Sequence, residues 1–264
     1  MESGELLKRR IIELAYRASS KCLKTHTAFI SSPNEILHEL SLSGSVDMNK
    51  ETIGDSSYFI YGGDEAERAV VFFLPSYMEV EEEKKKEEQG ENIALLHIEG
   101  KNEKFMEKLT HRDYLGALMS LGYEREQFGD ILVYDKGAYV YCLSPIAEEV
   151  AKSLLSVSHS YVKTSILAPK ECPIKKETEE KKINVPSLRI DAVISECFSL
   201  SRADSKSLIE NGSLFVNGIN KTNTSYIIKD GDVVACKGFG KFIYEGETGV
   251  SRKSRIFIAI KVFK

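Results

Sequence analysis

The sequence predicts an α+β protein: a helical lead-in, a mixed domain on a β-α-β-β-α-β plan, and a small C-terminal αα-β module. Three observations carry that reading. Apolar residues recur at helical spacing through the first fifty positions, and strand and helix signals then alternate in a fixed order from Asn92 to Leu167. A charge-dense stretch holding Pro169, Pro173 and Pro186 separates these from the last pattern. The expected domains are residues 1–167 (lead-in 1–50, mixed domain 51–167), a linker at 168–186, and residues 187–264.

Each element has its own justification. Leu6, Leu7, Ile11, Ile12, Leu14, Ala15 and Ala18 make an amphipathic helix with charges on its far side. A second helix is expected from Ser32-Pro33-Asn34-Glu35, with serine as cap, proline at the first helical position and glutamate returning the capping-box bond. SYFIYGG and AVVFFLP read as strands, and EVEEEKKKEEQGEN, residues 79–92, as a solvated loop or hairpin tip because it lacks apolar periodicity. Ile93–Ile98 is a strand. Thr110 with Asp113 caps a helix carrying Leu115, Leu118 and Met119 that stops at Gly122. Ile131–Tyr134 and Ala138–Leu143 are strands joined by an Asp-Lys-Gly turn; Ser144-Pro145 opens a helix through Leu155, and Tyr161–Leu167 is the last strand. This order is that of ferredoxin-like domains, which include the RNA-recognition fold. The segment from Lys136 to Tyr141 approximates that fold's aromatic strand motif, so Tyr139 and Tyr141, alternating onto one face, are either base-stacking residues or ordinary core.

Composition narrows the function. The 264-residue chain has a formal charge of -4, but residues 184–264 hold 12 Lys and Arg against 8 Asp and Glu, so the C-terminal part carries +4 and the remainder -8. An anionic partner such as RNA would therefore meet the C-terminal module first. Five cysteines, none in a CxxC pair, fit reduced thiols. The first twenty residues lack the apolar run of a signal peptide, and no stretch is apolar enough to span a bilayer, so a cytoplasmic protein is expected, with no membrane contact.

The C-terminal stretch contains Arg189-Ile190-Asp191, Ser201-Arg202 through Leu208-Ile209, Gly212 to Gly218, and Asp230-Gly231-Asp232. Ser201 suits a helix cap, Gly212 a left-handed stop, and Asn217-Gly218 and Asp230-Gly231 suit turns. Leu208, Ile209, Leu214 and Val216 are the candidate core. Arg202 and Lys206, four apart, share one exposed helix face. In order and register the motifs resemble the RNA-binding domain named after ribosomal protein S-four. That resemblance implies RNA contact by Arg202, Lys206, Asn217 and Lys221, to which the same surface adds Arg189 and Ser201. Lys237, and Lys241 within the tight bend GFGKF, together with Arg252, Lys253 and Arg255, are the remaining candidate cations. Ser213 departs from the pattern at a position where relatives often carry a cation.

Three catalytic motifs fail on spacing. His111-Arg112-Asp113 lacks the downstream asparagine and glycine-rich loop of a kinase, and reads as a helix start. Arg189-Ile190-Asp191 is similar to the catalytic aspartate region of pseudouridine synthases but lies inside the C-terminal module. The five histidines show no ligand spacing, so neither metal nor cofactor is expected.

Residues 61–68, YGGDEAER, then Leu109 to Leu118, LTHRDYLGAL, and Gly129 to Val133, GDILV, are similar to signatures of the bacterial YlmH family, with departures at Ala69 and at Ser156–Ser160. The resemblance implies a non-enzymatic RNA-binding protein acting with structured RNA (rRNA, tRNA) on the large ribosomal subunit, in quality control of stalled peptidyl-tRNA complexes. A monomer with no DNA partner is expected. The alternatives are an RNA-modifying enzyme, of pseudouridine synthase or methyltransferase type, that uses the C-terminal domain for delivery, and an mRNA-binding regulator.

Overall fold

A computed structural model describes residues 2–64, 66–101, 108–174, 178–251 and 255–263. The chain divides into two compact units, Met1–Lys175 and Lys176–Lys264.

The first unit opens with α1 (Glu2–Lys21), β1 (Thr25–His26), β2 (Ile30–Ser31), α2 (Pro33–Leu42), β3 (Thr52–Ile53), β4 (Ser56–Tyr61) and β5 (Arg68–Leu74). Their strands make one antiparallel sheet in the order β1-β5-β4-β3, with β2 also on β5. Ser32 precedes α2 as expected but sits in the left-handed region at φ 50°, and its side chain makes no capping bond. There follow α3 (Val80–Glu88), β6 (Ile93–Gly100), α4 (His111–Ser120), β7 (Phe128–Tyr134), β8 (Gly137–Leu143), α5 (Ser144–Ser153), β9 (Ser156–Val157) and β10 (Ser160–Leu167). The second sheet runs β7-β8-β6-β10-β9, the strand order of the split β-α-β plan with β9 added at one edge.

The two sheets stack face to face. Val71 and Phe73 of β5 point into a core with Ile11, Leu14 and Ala15 of α1 and Leu37 and Leu40 of α2. Val70, Phe72 and Leu74, the alternate residues, pack with Ile93, Leu95, Tyr139 and Tyr141 of the second sheet. The far face of that sheet, through Leu96, Ile98, Val140 and Cys142, packs on Tyr114 and Leu118 of α4 and Ala147 and Val150 of α5. Helices therefore cover two sheets from both sides. Strands buried on both faces need apolar residues at every position, which is why AVVFFL does not alternate.

The run 79–92 corrects the loop expectation. Its central part is α3, whose Glu83 and Glu87 are 4% and 0% exposed. Lys24 donates to Glu83 at 2.7 Å, to Glu87 at 3.0 Å and to Glu91 at 2.6 Å, and Glu87 also accepts from the backbone and side chain of Asn92. The inward side of this helix is thus carboxylate rather than apolar, and hydrophobic periodicity could not reveal it.

The second unit contains β11 (Thr178–Val185), α6 (Ile190–Cys197), α7 (Arg202–Glu210), β12 (Leu214–Val216), β13 (Ile219–Asn220), β14 (Val233–Cys236), β15 (Gly240–Val250) and β16 (Ile256–Phe263). Its six strands run β11-β16-β15-β14-β12-β13. One face supplies Leu214, Val216, Val234, Cys236, Phe242, Tyr244, Ile258 and Ile260 to a core with Ile190, Val193, Ile194 and Ile209 from α6 and α7. The expected linker is corrected here: residues 178–185 form an edge strand paired with β16 from Thr178↔Phe263 to Val185↔Ile256. Its Lys and Glu side chains are exposed and only Val185 is fully buried, the charged composition that protects a sheet edge from further pairing.

Candidate RNA-binding surface

In the second unit, Arg189 caps α6 and its guanidinium grips Asp191 through Nε–Oδ1 at 3.1 Å and Nη2–Oδ2 at 3.2 Å. Arg202, at the start of α7, donates to the same Asp191 Oδ2 at 3.2 Å. Asp191 itself is mostly buried, with its side chain 15% exposed, so one shared carboxylate braces two half-exposed guanidiniums. The position of α7 is fixed locally: the Ser201 hydroxyl accepts the Asp204 N–H at 3.0 Å and donates to the Asp204 carboxylate at 2.6 Å. Gly212 ends the helix at φ 72°. Lys206 lies one turn after Arg202, exposed, with Glu210 at 3.6 Å. Arg189, Arg202 and Lys206 are thus brought together, with Ser201 as their support. A guanidinium has five donors, and the bond to Asp191 uses one of Arg202's.

The other candidates divide by what they touch. Lys221 lies 5.3 Å from the Tyr226 ring centroid, Lys237 4.9 Å from Phe215 and Lys241 4.6 Å from Phe263. Each ammonium group lies over an aromatic face, in cation–π geometry. Asn217 has a structural task of its own. Its amide nitrogen donates to Asp232 at 2.8 Å and its oxygen accepts the Val233 N–H at 2.8 Å, holding a turn at φ 52°. Arg255, with its side chain 41% exposed, donates to Asn184 and, at 2.6 Å, to Glu196. Arg252 and Lys253 lie outside the described residues.

The two stacking candidates are buried. Tyr139 is 8% and Tyr141 4% exposed, both beneath the first sheet, and burial pushes both phenols above their ordinary pKa. Tyr139 stacks on His97 at 4.4 Å and on Tyr134 at 5.4 Å, so neighbouring rings occupy the places a base would take. Alternation placed these tyrosines correctly on one face and said nothing about the sheet above it.

In the signatures of the first unit Asp130, Arg68 and Asp113 are tied to the fold, whereas Arg112 is exposed. Asp130 accepts the N–H groups of Glu67 at 2.8 Å and Arg68 at 3.0 Å. The Arg68 guanidinium donates to the Phe128 carbonyl at 3.2 Å, the Ser31 hydroxyl at 2.7 Å and the Phe29 carbonyl at 2.9 Å. Burial lowers its pKa, with Glu126 and Asp130 opposing the shift. A Cβ at Gly63, where φ is 97°, would fall 2.3 Å from the Tyr141 ring, so only glycine fits there. Asp113, the third letter of the kinase-like triplet, accepts from the Thr110 N–H and hydroxyl, both at 2.7 Å, and these bonds hold its carboxyl below the usual range. It caps α4, as its spacing from Thr110 predicts. Among the described residues no group of three or more His, Cys, Asp or Glu is disposed to hold a metal, and no helix is long and apolar enough to cross a membrane.

Residues 87–170 match the family model described as "Putative RNA-binding domain in YlmH". Over this span the chain resembles the YlmH family. The matched span takes in the whole second sheet with α4 and α5, so it coincides with the β-α-β-β-α-β module. The chain is similar to the "Ribosome-associated protein quality control protein P2" of Bacillus subtilis (strain 168), with 28% identity over 248 residues, 94% of this chain and 88% of that one. Among solved structures it is similar to "Cell division protein ylmH from Streptococcus pneumoniae", at 22% identity and a TM-score of 0.42, covering 62% of this chain and 87% of that one.

Proposed function

We propose that the chain is a non-enzymatic, cytoplasmic RNA-binding protein of the ribosome. Its role is to contact rRNA or tRNA on the large subunit during quality control of stalled peptidyl-tRNA complexes. The observation that carries this reading is the pair of guanidiniums braced by Asp191 beside Lys206. Bracing lowers the entropy lost on binding, and arginine suits bidentate contact with phosphate. The name of the Bacillus subtilis relative and the description of the matched family model support the same reading. Binding on this view is electrostatic and shape-directed, with cations displacing condensed counterions while the capped helix sets the register on folded RNA.

Sedimentation tests it. Mixed with purified subunits, the chain is expected to travel with the large subunit at low salt and to leave it as salt rises. The RNA recovered from those fractions is expected to carry no new modification. Migration only in the light fractions at low salt, with stalled large subunits present, overturns the ribosomal assignment; reproducible modification overturns the non-enzymatic one.

A further inference from the structure

The second sheet of the first unit is covered by the first sheet at one end only. Directly paired residues of an antiparallel sheet share a face, so registers give rows across it. The innermost row is Leu167, Leu95 and Tyr141. The next is Ser165, His97, Tyr139 and Leu132, and the third is Lys163, Glu99, Gly137 and Tyr134. Beyond it lie Tyr161 and Lys101, joined by a 2.9 Å bond from the Lys101 N–H to the Tyr161 carbonyl. Exposure climbs along this direction from Leu95 at 0% through Tyr139 at 8% to Tyr161 at 72%. The same face that is dry core under the first sheet is open surface at its far end.

We infer that this open end is a second RNA site, taking a single-stranded segment with a base stacked on Tyr161 and phosphates on Lys101 and Lys163. The inference rests on the RNA-binding reading above and extends it to a site on the first unit. An exposed tyrosine on a sheet face, beside cations and away from aliphatic neighbours of its own row, suits a nucleobase better than an apolar protein segment. The surroundings are built rather than loose. His97 stacks on Tyr139 with an interplanar angle of 6°, and its Nε2 is hydrogen-bonded to the Tyr134 hydroxyl at 2.7 Å. Glu99 fixes Lys163 at 2.5 Å and lies 3.8 Å from His97 Nε2. Among the described residues of these outer rows, Lys101 and Lys163 stand against Glu99, within an otherwise acidic part of the chain. A phosphate on Lys163 must compete with Glu99, so stacking on Tyr161 carries much of the affinity, and the site depends less on salt than the arginine face of the second unit.

The test uses the full-length chain and two fluorescent probes, a short unstructured oligouridylate and a stable RNA hairpin. Tyr161→Ala is expected to weaken oligouridylate binding roughly tenfold, within the range for a lost base-aromatic stack, while Tyr161→Phe binds as the parent does. Hairpin affinity is expected to stay at the parental value in both. Parental oligouridylate affinity in Tyr161→Ala overturns the site. So does an equal loss for both probes, which would make Tyr161 a support of the fold. If the parent binds the hairpin but not the oligouridylate, this inference fails and the function proposed above stands. Failure to bind either probe removes both.

Discussion

Changing Arg202 and Lys206 together to alanine separates the RNA-facing side of α7 from its structural side. Their side chains are 52% and 62% exposed and their partners lie at 3.2 and 3.6 Å, so each ion pair is of the surface kind, worth at most about 1 kcal/mol. Asp191 is not orphaned, because Arg189 keeps its two contacts. The double variant should therefore melt close to the parent, within ~1 kcal/mol. Hairpin RNA titrated by fluorescence anisotropy at several salt concentrations gives the functional measure. If each side chain neutralises one phosphate, the slope of log affinity against log salt becomes shallower by about 1.8 for a duplex, and low-salt affinity falls tenfold or more. Ile209→Ala is the control for folding. Ile209 is fully buried whereas Leu208 is only partly so, and its truncation should cost ~2–5 kcal/mol while leaving the salt slope of the folded fraction unchanged. A double variant that binds with parental affinity and slope would show the basic face to be merely solvated.

Two further outcomes concern the first unit. Lys24→Met strips the shared cation from Glu83 and Glu87; because Lys86 still reaches Glu83 and Asn92 still donates to Glu87, the loss should sit near the low end of the range for broken buried pairs, about 3 kcal/mol in urea unfolding of this unit. Burial alone would raise the Glu83 pKa, but the hydrogen bonds from Lys24 and Lys86 outweigh it and depress the folded value. Their contribution is therefore present above the unfolded pKa of ~4.3 and lost as pH falls through the depressed folded one, so the gap between parent and variant should narrow as the pH is taken down through that acidic range. Equal stability at neutral pH would refute the cluster's role. Gly63→Ala places a methyl against the nearly buried Tyr141 at a backbone angle that L residues avoid, and thermal melts should show a loss of ~2–4 kcal/mol; a neutral result would mean that this turn relaxes freely.

What could be read from the residues was whatever depends on neighbours in sequence. Thr110 and Asp113 meet across three residues, Ser201 and Asp204 likewise, and the strands from Ile93 to Leu167 announce themselves by composition and turn chemistry. What could not be read depends on partners far along the chain. The helix α3 hides because its inward carboxylates, Glu83 and Glu87, are neutralised by Lys24, 59 and 63 positions away. The strand β11 hides because an edge strand bathed in water needs no apolar alternation, only the ladder that β16 supplies.

The candidate site divides along the same line. Counting cations in residues 184–264 finds the basic region but not what each cation already touches, since Arg255 donates to Asn184 and Glu196. Arginines in the first unit show the same economy: Arg68 and Arg125 both spend donors on the Phe128 carbonyl, locking the Gly129-Asp130 strand to the chain around Ser31. A charged side chain in a signature is therefore as apt to close the fold as to open it to RNA, and the deciding quantity is how many of its donors the fold has already taken. By that measure Arg202 and Lys206 outrank Arg68, whose guanidinium donates to three partners in the fold. The tyrosines obey the same rule through burial. Tyr139, Tyr141 and Tyr161 all lie on one sheet face by a period of two, yet the first sheet covers only the first pair, so the residue with the least motif-like surroundings is the one left facing water.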